Sequence, residues 1–148
     1  GIYFCTKNHE SLFLDGGSSD VSLVGTYRIL PFLKRNGVGK IFYWFVSHTD
    51  NDHISGLMEA IDAGYPVEHV VFAKHGLKEA EGCREFLKKL EEHKIPVLFL
   101  EEEDCMYFGE SSMTCLFPDA DYEKEDVVNV TKRIAKFCDV KLRKLGDD

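Results

Sequence analysis

Ile41-Phe42-Tyr43-Trp44-Phe45-Val46-Ser47-His48-Thr49-Asp50-Asn51-Asp52-His53-Ile54-Ser55-Gly56 places an unbroken apolar run directly before a cluster of histidines and aspartates. The run within Lys40 to Ser47 is strand-length and does not alternate with polar residues, which fits a central strand buried on both faces. From about Asp52 or His53 the spacing turns helical. Ile54, Leu57, Met58 and Ile61 share one face of a helix reaching Gly64.

Four candidate ligands, His48, Asp50, Asp52 and His53, therefore fall within six residues between a strand end and a helix start. In extended chain alternate side chains point the same way, so His48 and Asp50 can converge on one point. Asp52 and His53, entering the helix, can face a second point nearby. Such a loop can hold two cations, since imidazole and carboxylate suit divalent ions. Two adjacent metals can generate a hydroxide nucleophile and clamp both sides of a displaced ester. The helix N-terminus adds a field that favours anions, and Gly56 lets the helix pack close behind the loop. In the bland alternative, Asp50 or Asp52 merely caps the helix. That accounts neither for the two histidines nor for the buried strand before them.

Outward from this stretch, Ile2 to Cys5 and Ser11 to Leu14 form a hairpin signal around Lys7-Asn8-His9-Glu10, and 15–20 is a loop by composition. Val24 to Asn36 has helical spacing complicated by Pro31, and Gly37 and Gly39 end it. Val67 to Ala73 reads as a strand, Leu77 to His93 as a helix and Pro96 to Leu100 as a strand. Met106 to Phe108 and Ser112 to Phe117 read as two more short strands around Gly109-Glu110-Ser111. The β-α-β-α-β alternation argues an α/β layered domain, taken as one domain over 1–148.

Composition narrows the class. With 148 residues, 44% of them hydrophobic, the chain can build a core, and no apolar run reaches the roughly 20 residues of a membrane helix. A formal net charge of −8 weakens a nucleic-acid reading but does not exclude a nuclease whose metal ions meet the phosphate. Five cysteines with no Cys-x-x-Cys pair argue against a disulfide framework or a zinc ribbon and favour a reducing compartment such as the cytoplasm. The opening Gly1-Ile2-Tyr3-Phe4 has no methionine or signal peptide and reads as starting inside a strand, so the domain is expected to be incomplete at that end. The acidic run Glu101-Glu102-Glu103-Asp104 reads as a solvated loop.

The pattern His-x-Asp-x-Asp-His after a hydrophobic strand resembles the signature of the metallo-β-lactamase superfamily, which in most members reads His-x-His-x-Asp-His. Aspartate in the third position is similar to one branch, the soluble domain of the competence DNA-uptake protein ComEC and its stand-alone relatives. Leu14-Asp15-Gly16-Gly17, the helical segment Val24 to Leu33 with Arg35-Asn36-Gly37-Val38, Lys94-Ile95-Pro96-Val97 and Phe117-Pro118 fit the same plan. The likeness covers roughly residues 1 to 130. It implies a four-layer αβ/βα sandwich of which this chain covers mainly the N-terminal αβ half. His48 and Asp50 would serve one metal and Asp52 and His53 the other, with Asp52 also orienting the attacking water. Asp15 would steady the ligand loop. Asp50 in place of histidine hardens the site toward manganese or magnesium, beside zinc.

The resemblance also implies a downstream histidine, a bridging Gly-Asp aspartate and a second half of similar size. His75 and Asp147, of Gly146-Asp147, are the candidates for those ligands, while His69 and His93 read as surface residues. Three expectations follow. One is a metal-dependent hydrolase acting on a phosphodiester such as DNA, in the manner of a nuclease of competence DNA uptake. Another is a truncated, inactive metal-binding fragment that lacks its C-terminal half-domain and self-associates. An unrelated α/β domain with a polar helix cap is the third.

Overall fold

The computed structural model describes residues 1–73 and 81–116. Among these residues, five strands form one mixed sheet in the order β1-β2-β3-β4-β5. They are β1 (Ile2–Cys5), β2 (Ser11–Leu14), β3 (Ile41–Val46), β4 (Val67–Ala73) and β5 (Val97–Leu100). β1 runs antiparallel to β2, with Ile2 opposite Leu14, and the remaining pairings are parallel. Three α-helices make the crossovers: α1 (Leu30–Arg35), α2 (Asn51–Asp62) and α3 (Glu81–Glu92). A separate hairpin follows, β6 (Cys105–Phe108) and β7 (Ser111–Thr114). The chain is thus α/β, as its alternation implied. The candidate segments His75, Phe117-Pro118 and Gly146-Asp147 lie outside the described residues.

Spatial neighbours in the sheet are sequence neighbours, so every crossover helix lands on the same face. Phe13, Trp44, Val46, Val70 and Phe72 pack there against Leu33, Leu57, Ile61, Phe86 and Leu90. On the opposite face Phe4, Leu12, Leu14, Phe45 and Val71 pack with Phe108 and Met113 of the β6–β7 hairpin. Both faces of β3 are therefore covered, which is why its sequence does not alternate. Trp44 is wholly buried, its ring 4.4 Å from that of Phe13.

The segment read as one helix over Val24 to Asn36 is two. Gly25–Ile29 is a π-helical turn, in which Leu30 N donates to Gly25 O, and α1 follows. Pro31 has no N–H to give and its ring excludes the carbonyl four residues back, so the turn before it widens. Glu59 of α2 holds this turn, accepting from Thr26 N at 2.8 Å and Thr26 Oγ1 at 3.1 Å. Gly37, at φ 69, ends α1 in the left-handed conformation that glycine adopts without strain.

After α2, the Tyr65 hydroxyl donates to Val38 O at 2.7 Å, and burial pushes its phenol up to about 12. Tyr65→Phe is expected to cost about 1 kcal/mol at neutral pH. The folded chain keeps the phenolic proton longer than the unfolded one. The tyrosine's share of stability is therefore complete below pH 10 and is lost as pH rises through about 12. Urea unfolding of both chains across that window should show the difference between them shrinking; a constant difference would contradict it.

Candidate metal centre

The site is built at the carboxyl ends of β2 and β3. Asp15 follows β2 directly at φ 51, a left-handed conformation that aspartate tolerates better than most residues. Its backbone is fixed from both sides: Asp15 N donates to Phe45 O at 2.9 Å, and Trp44 Nε1 donates to Asp15 O at 3.1 Å. The carboxylate is buried, and three donors converge on it. Oδ1 accepts Ser47 N at 2.9 Å, and Oδ2 accepts Ser47 Oγ at 2.7 Å and His53 Nδ1 at 2.9 Å. Burying a carboxylate is costly without such partners.

Counting protons fixes the histidines. A carboxylate only accepts, so the single Ser47 hydroxyl proton is committed to Asp15. The single Nδ1 proton of His53 goes to the nearer Asp15 Oδ2, with Ser47 Oγ 3.1 Å to its side, and toward His48 Nδ1, also 3.1 Å away, the Ser47 oxygen then accepts. Both Nδ1 atoms therefore carry hydrogen, and in the neutral rings the lone pair lies on Nε2. His48 Nε2 is 3.3 Å from Asp50 Oδ2, and His53 Nε2 is 3.5 Å from Asp52 Oδ2. In each contact two electron-rich atoms face one another, a geometry that a proton or a cation between them relieves. Burial, and then the neighbouring His53, lower the His48 pKa, opposed by Asp50, Asp15 and Asp52. The two rings lie with centroids 3.7 Å apart.

The helix start bears on the capping alternative. Asp50 is the N-cap residue of α2, yet its side chain makes no capping hydrogen bond. Only its carbonyl serves the helix, accepting His53 N at 2.8 Å. Its carboxylate is exposed and turned to His48 instead. The Gly16-Gly17 segment is pressed onto the first turns of α2. A Cβ on Gly17 would lie 2.3 Å from Asn51 O, and one on Gly56 would lie 2.0 Å from Gly16 O. Gly56 thus does what its position in the sequence suggested, and Ser18 N adds a bond to Ser55 Oγ at 3.0 Å.

Among the described residues, His48, Asp52 and His53 offer ligand atoms all within 4.8 Å of one another and can hold a metal ion. Asp50 stands beside this trio, paired with His48, and Asp15 sits behind it. His93 is exposed, at the end of α3, as read. His69 differs from its surface reading: it lies within β4, stacked on Tyr43 at 5.1 Å, and its Nδ1 is buried with no hydrogen-bond partner among the described residues. Sequence reasoning missed Ser47, the hub between Asp15 and both imidazoles. The available signal was a lone polar residue closing an otherwise apolar strand, buried here to 9% exposure. No helix among the described residues is long and apolar enough to cross a membrane. Compared with known proteins, the chain matches no protein-family model and no curated protein at a significant level.

Proposed function

We propose that this chain carries the metal-binding half of a metallo-β-lactamase-type hydrolase domain, an αβ/βα sandwich related to the ComEC branch, acting on a phosphodiester such as DNA. The observation that carries the reading is the pair of imidazole Nε2 atoms, each set against an aspartate oxygen while Nδ1 of the same ring faces Ser47 Oγ. That donor set fits a divalent cation of the manganese, zinc or magnesium kind, held by His48, Asp52 and His53 with Asp50 beside them. A bound ion of this kind supplies Lewis acidity and an activated water.

The chain's own residues do the rest. Ser47 and Asp15 hold both rings in the tautomer that presents Nε2, so the site is arranged before any ion arrives. The exposed Asp52 carboxylate is the group placed to orient a water and accept its proton. Asp50, in the position where relatives of this pattern carry histidine, sets a second hard carboxylate beside the trio.

Calorimetric titration of manganese and of zinc into the metal-stripped chain tests the proposal. Saturable binding is expected, weakened more than about 100-fold in His48→Ala and in Asp52→Ala, since losing a ligand costs more than losing its supporting partner. Manganese-dependent cleavage of a DNA strand by the same preparation would then establish the hydrolase. Binding without cleavage would leave the inactive metal-binding fragment, and no binding at all would remove both.

A further inference from the structure

From Val21 to Thr49 the chain has no aspartate or glutamate, although its formal net charge is −8. Arg28 of the π-helical turn and Lys34 and Arg35 of α1 fall in this stretch, and all three are exposed. Among the described residues none of the three has an ion-pair partner, whereas Lys7, Lys40, Lys88 and Lys89 each face a carboxylate. Glu59, an acid packed beside the turn, is engaged by Thr26 N and Oγ1. At 1.5 Å per residue, Arg28 and Arg35 lie about 10 Å apart along the helical segment, so the charge is spread in a row. Tyr27, next to Arg28, holds its ring in solvent at 70% exposure. One turn earlier Leu23, whose O accepts Tyr27 N at 2.9 Å, sits at φ 56, a left-handed backbone rare for a bulky residue. Strain of that kind clusters where a chain clamps a ligand or switches.

We infer that this face binds a single-stranded nucleic acid, its phosphates meeting Arg28, Lys34 and Arg35 and a base stacking on Tyr27. The inference goes beyond the hydrolase reading and needs no ion at the metal centre. Unpaired cations in a row suit a chain of phosphates, and a guanidinium pairs with phosphate through two N–H donors. An exposed aromatic ring stacks on any unpaired base, which a duplex does not offer. An anionic membrane would meet the same cations, but a helix lying in a bilayer interface presents a broad apolar face to the lipid. Here Ile29, Leu30 and Leu33 are buried in the core, and Leu23 is the one exposed large aliphatic side chain among residues 21–35.

The test uses the whole chain in EDTA and a fluorescein-labelled thymidine dodecamer, read by fluorescence anisotropy from low to physiological salt. A uridine dodecamer run beside it tells RNA from DNA. Three engaged phosphates give an expected slope of about −2 in log affinity against log salt. Arg28→Ala, Lys34→Ala and Arg35→Ala should each lessen that slope by about 0.7. Tyr27→Ala should weaken binding at least about fivefold with the slope unchanged, and Tyr27→Trp should keep the affinity. Lys88→Ala, which removes a cation of α3 already paired with Glu92, should change neither quantity. Circular dichroism confirms the fold of each variant, and every replaced side chain is exposed. No binding of either strand at low salt, unchanged affinity in Tyr27→Ala, or an unchanged slope in the three charge variants overturns the inference. Cosedimentation with phosphatidylserine vesicles in place of strand binding would give the face to a membrane instead. Metal titration of the same preparation keeps the two proposals apart. Strand binding in a chain that takes no metal keeps this face and removes the hydrolase, whereas metal binding without strand binding in EDTA removes the face and keeps the metal centre.

Discussion

Asp15→Asn is expected to lower affinity for manganese and zinc by roughly 10- to 100-fold, the usual cost of losing a partner behind a metal-binding histidine. The substitution keeps the shape of the side chain and suits the backbone, because asparagine tolerates the left-handed conformation at φ 51 as well as aspartate does. What changes is the direction of the hydrogen bonds. The carboxylate accepts from Ser47 N, Ser47 Oγ and His53 Nδ1, whereas an amide has one oxygen to accept with and an NH2 that must donate. If the new amide turns its oxygen to Ser47 N, its NH2 meets His53 Nδ1, which then accepts and sends the ring proton to Nε2. The lone pair that would face a bound metal is lost. Calorimetry on the variant, with circular dichroism to confirm its fold, checks this. Unchanged affinity in a folded variant would mean that Asp15 braces the strands without governing the histidines.

Gly56→Ala is expected to destabilise the chain by roughly 3 kcal/mol or more, at the upper end of overpacking effects. The added methyl would sit 2.0 Å from Gly16 O and 2.5 Å from Ile29 Cδ1. The isoleucine tip can swing aside, but the carbonyl cannot move without dragging the Asp15 loop off the helix. Metal affinity should therefore fall together with stability. Gly82→Ala makes the contrast. Gly82 lies in α3, and among the described residues nothing is nearer its missing Cβ than Thr49 O at 3.8 Å, so alanine there should be neutral or stabilise by about 0.5 to 1 kcal/mol. Urea denaturation of the three chains measures both, and similar midpoints for the two variants would contradict the packing argument.

How much of this could be read beforehand depends on the range of the interaction. β3 was legible because burial on both faces leaves a local mark, six apolar residues without alternation. α2 was legible from Ile54, Leu57 and Ile61, and Gly56 from its place among them, although the helix starts at Asn51, ahead of Asp52. The candidate metal loop could be read as a list of possible ligands, but not its internal wiring. Whether Asp50 caps α2 or faces His48 is decided by a few degrees of side-chain rotation, and nothing in the residue order encodes it. Ser47 acquires its role from Asp15, 32 residues earlier in the chain, a pairing that exists only once β2 lies beside β3. The π-helical turn escaped notice because Pro31 announces a disturbance without saying whether the helix breaks, kinks or widens. His69 looked like a surface residue because its stacking partner, Tyr43, belongs to the neighbouring strand.

Because the strands lie in the sheet in the order in which they occur in the chain, each parallel pair is closed by the shortest crossover available. The donors, their hub and both packing glycines all fall between Asp15 and Gly56, so β2, β3 and the start of α2 suffice to complete the constellation. An emerging polypeptide has those pieces before β4 has been made. The centre is thus expected to be able to form as soon as β2, β3 and the start of α2 meet, without waiting for the rest of the sheet. A cation captured at that moment would bias the growing sheet toward its native pairing, because whatever binds the ordered loop and not the open chain stabilises the order it needs. The expected kinetic signature is faster refolding in manganese or zinc, with unfolding slowed less than refolding is accelerated.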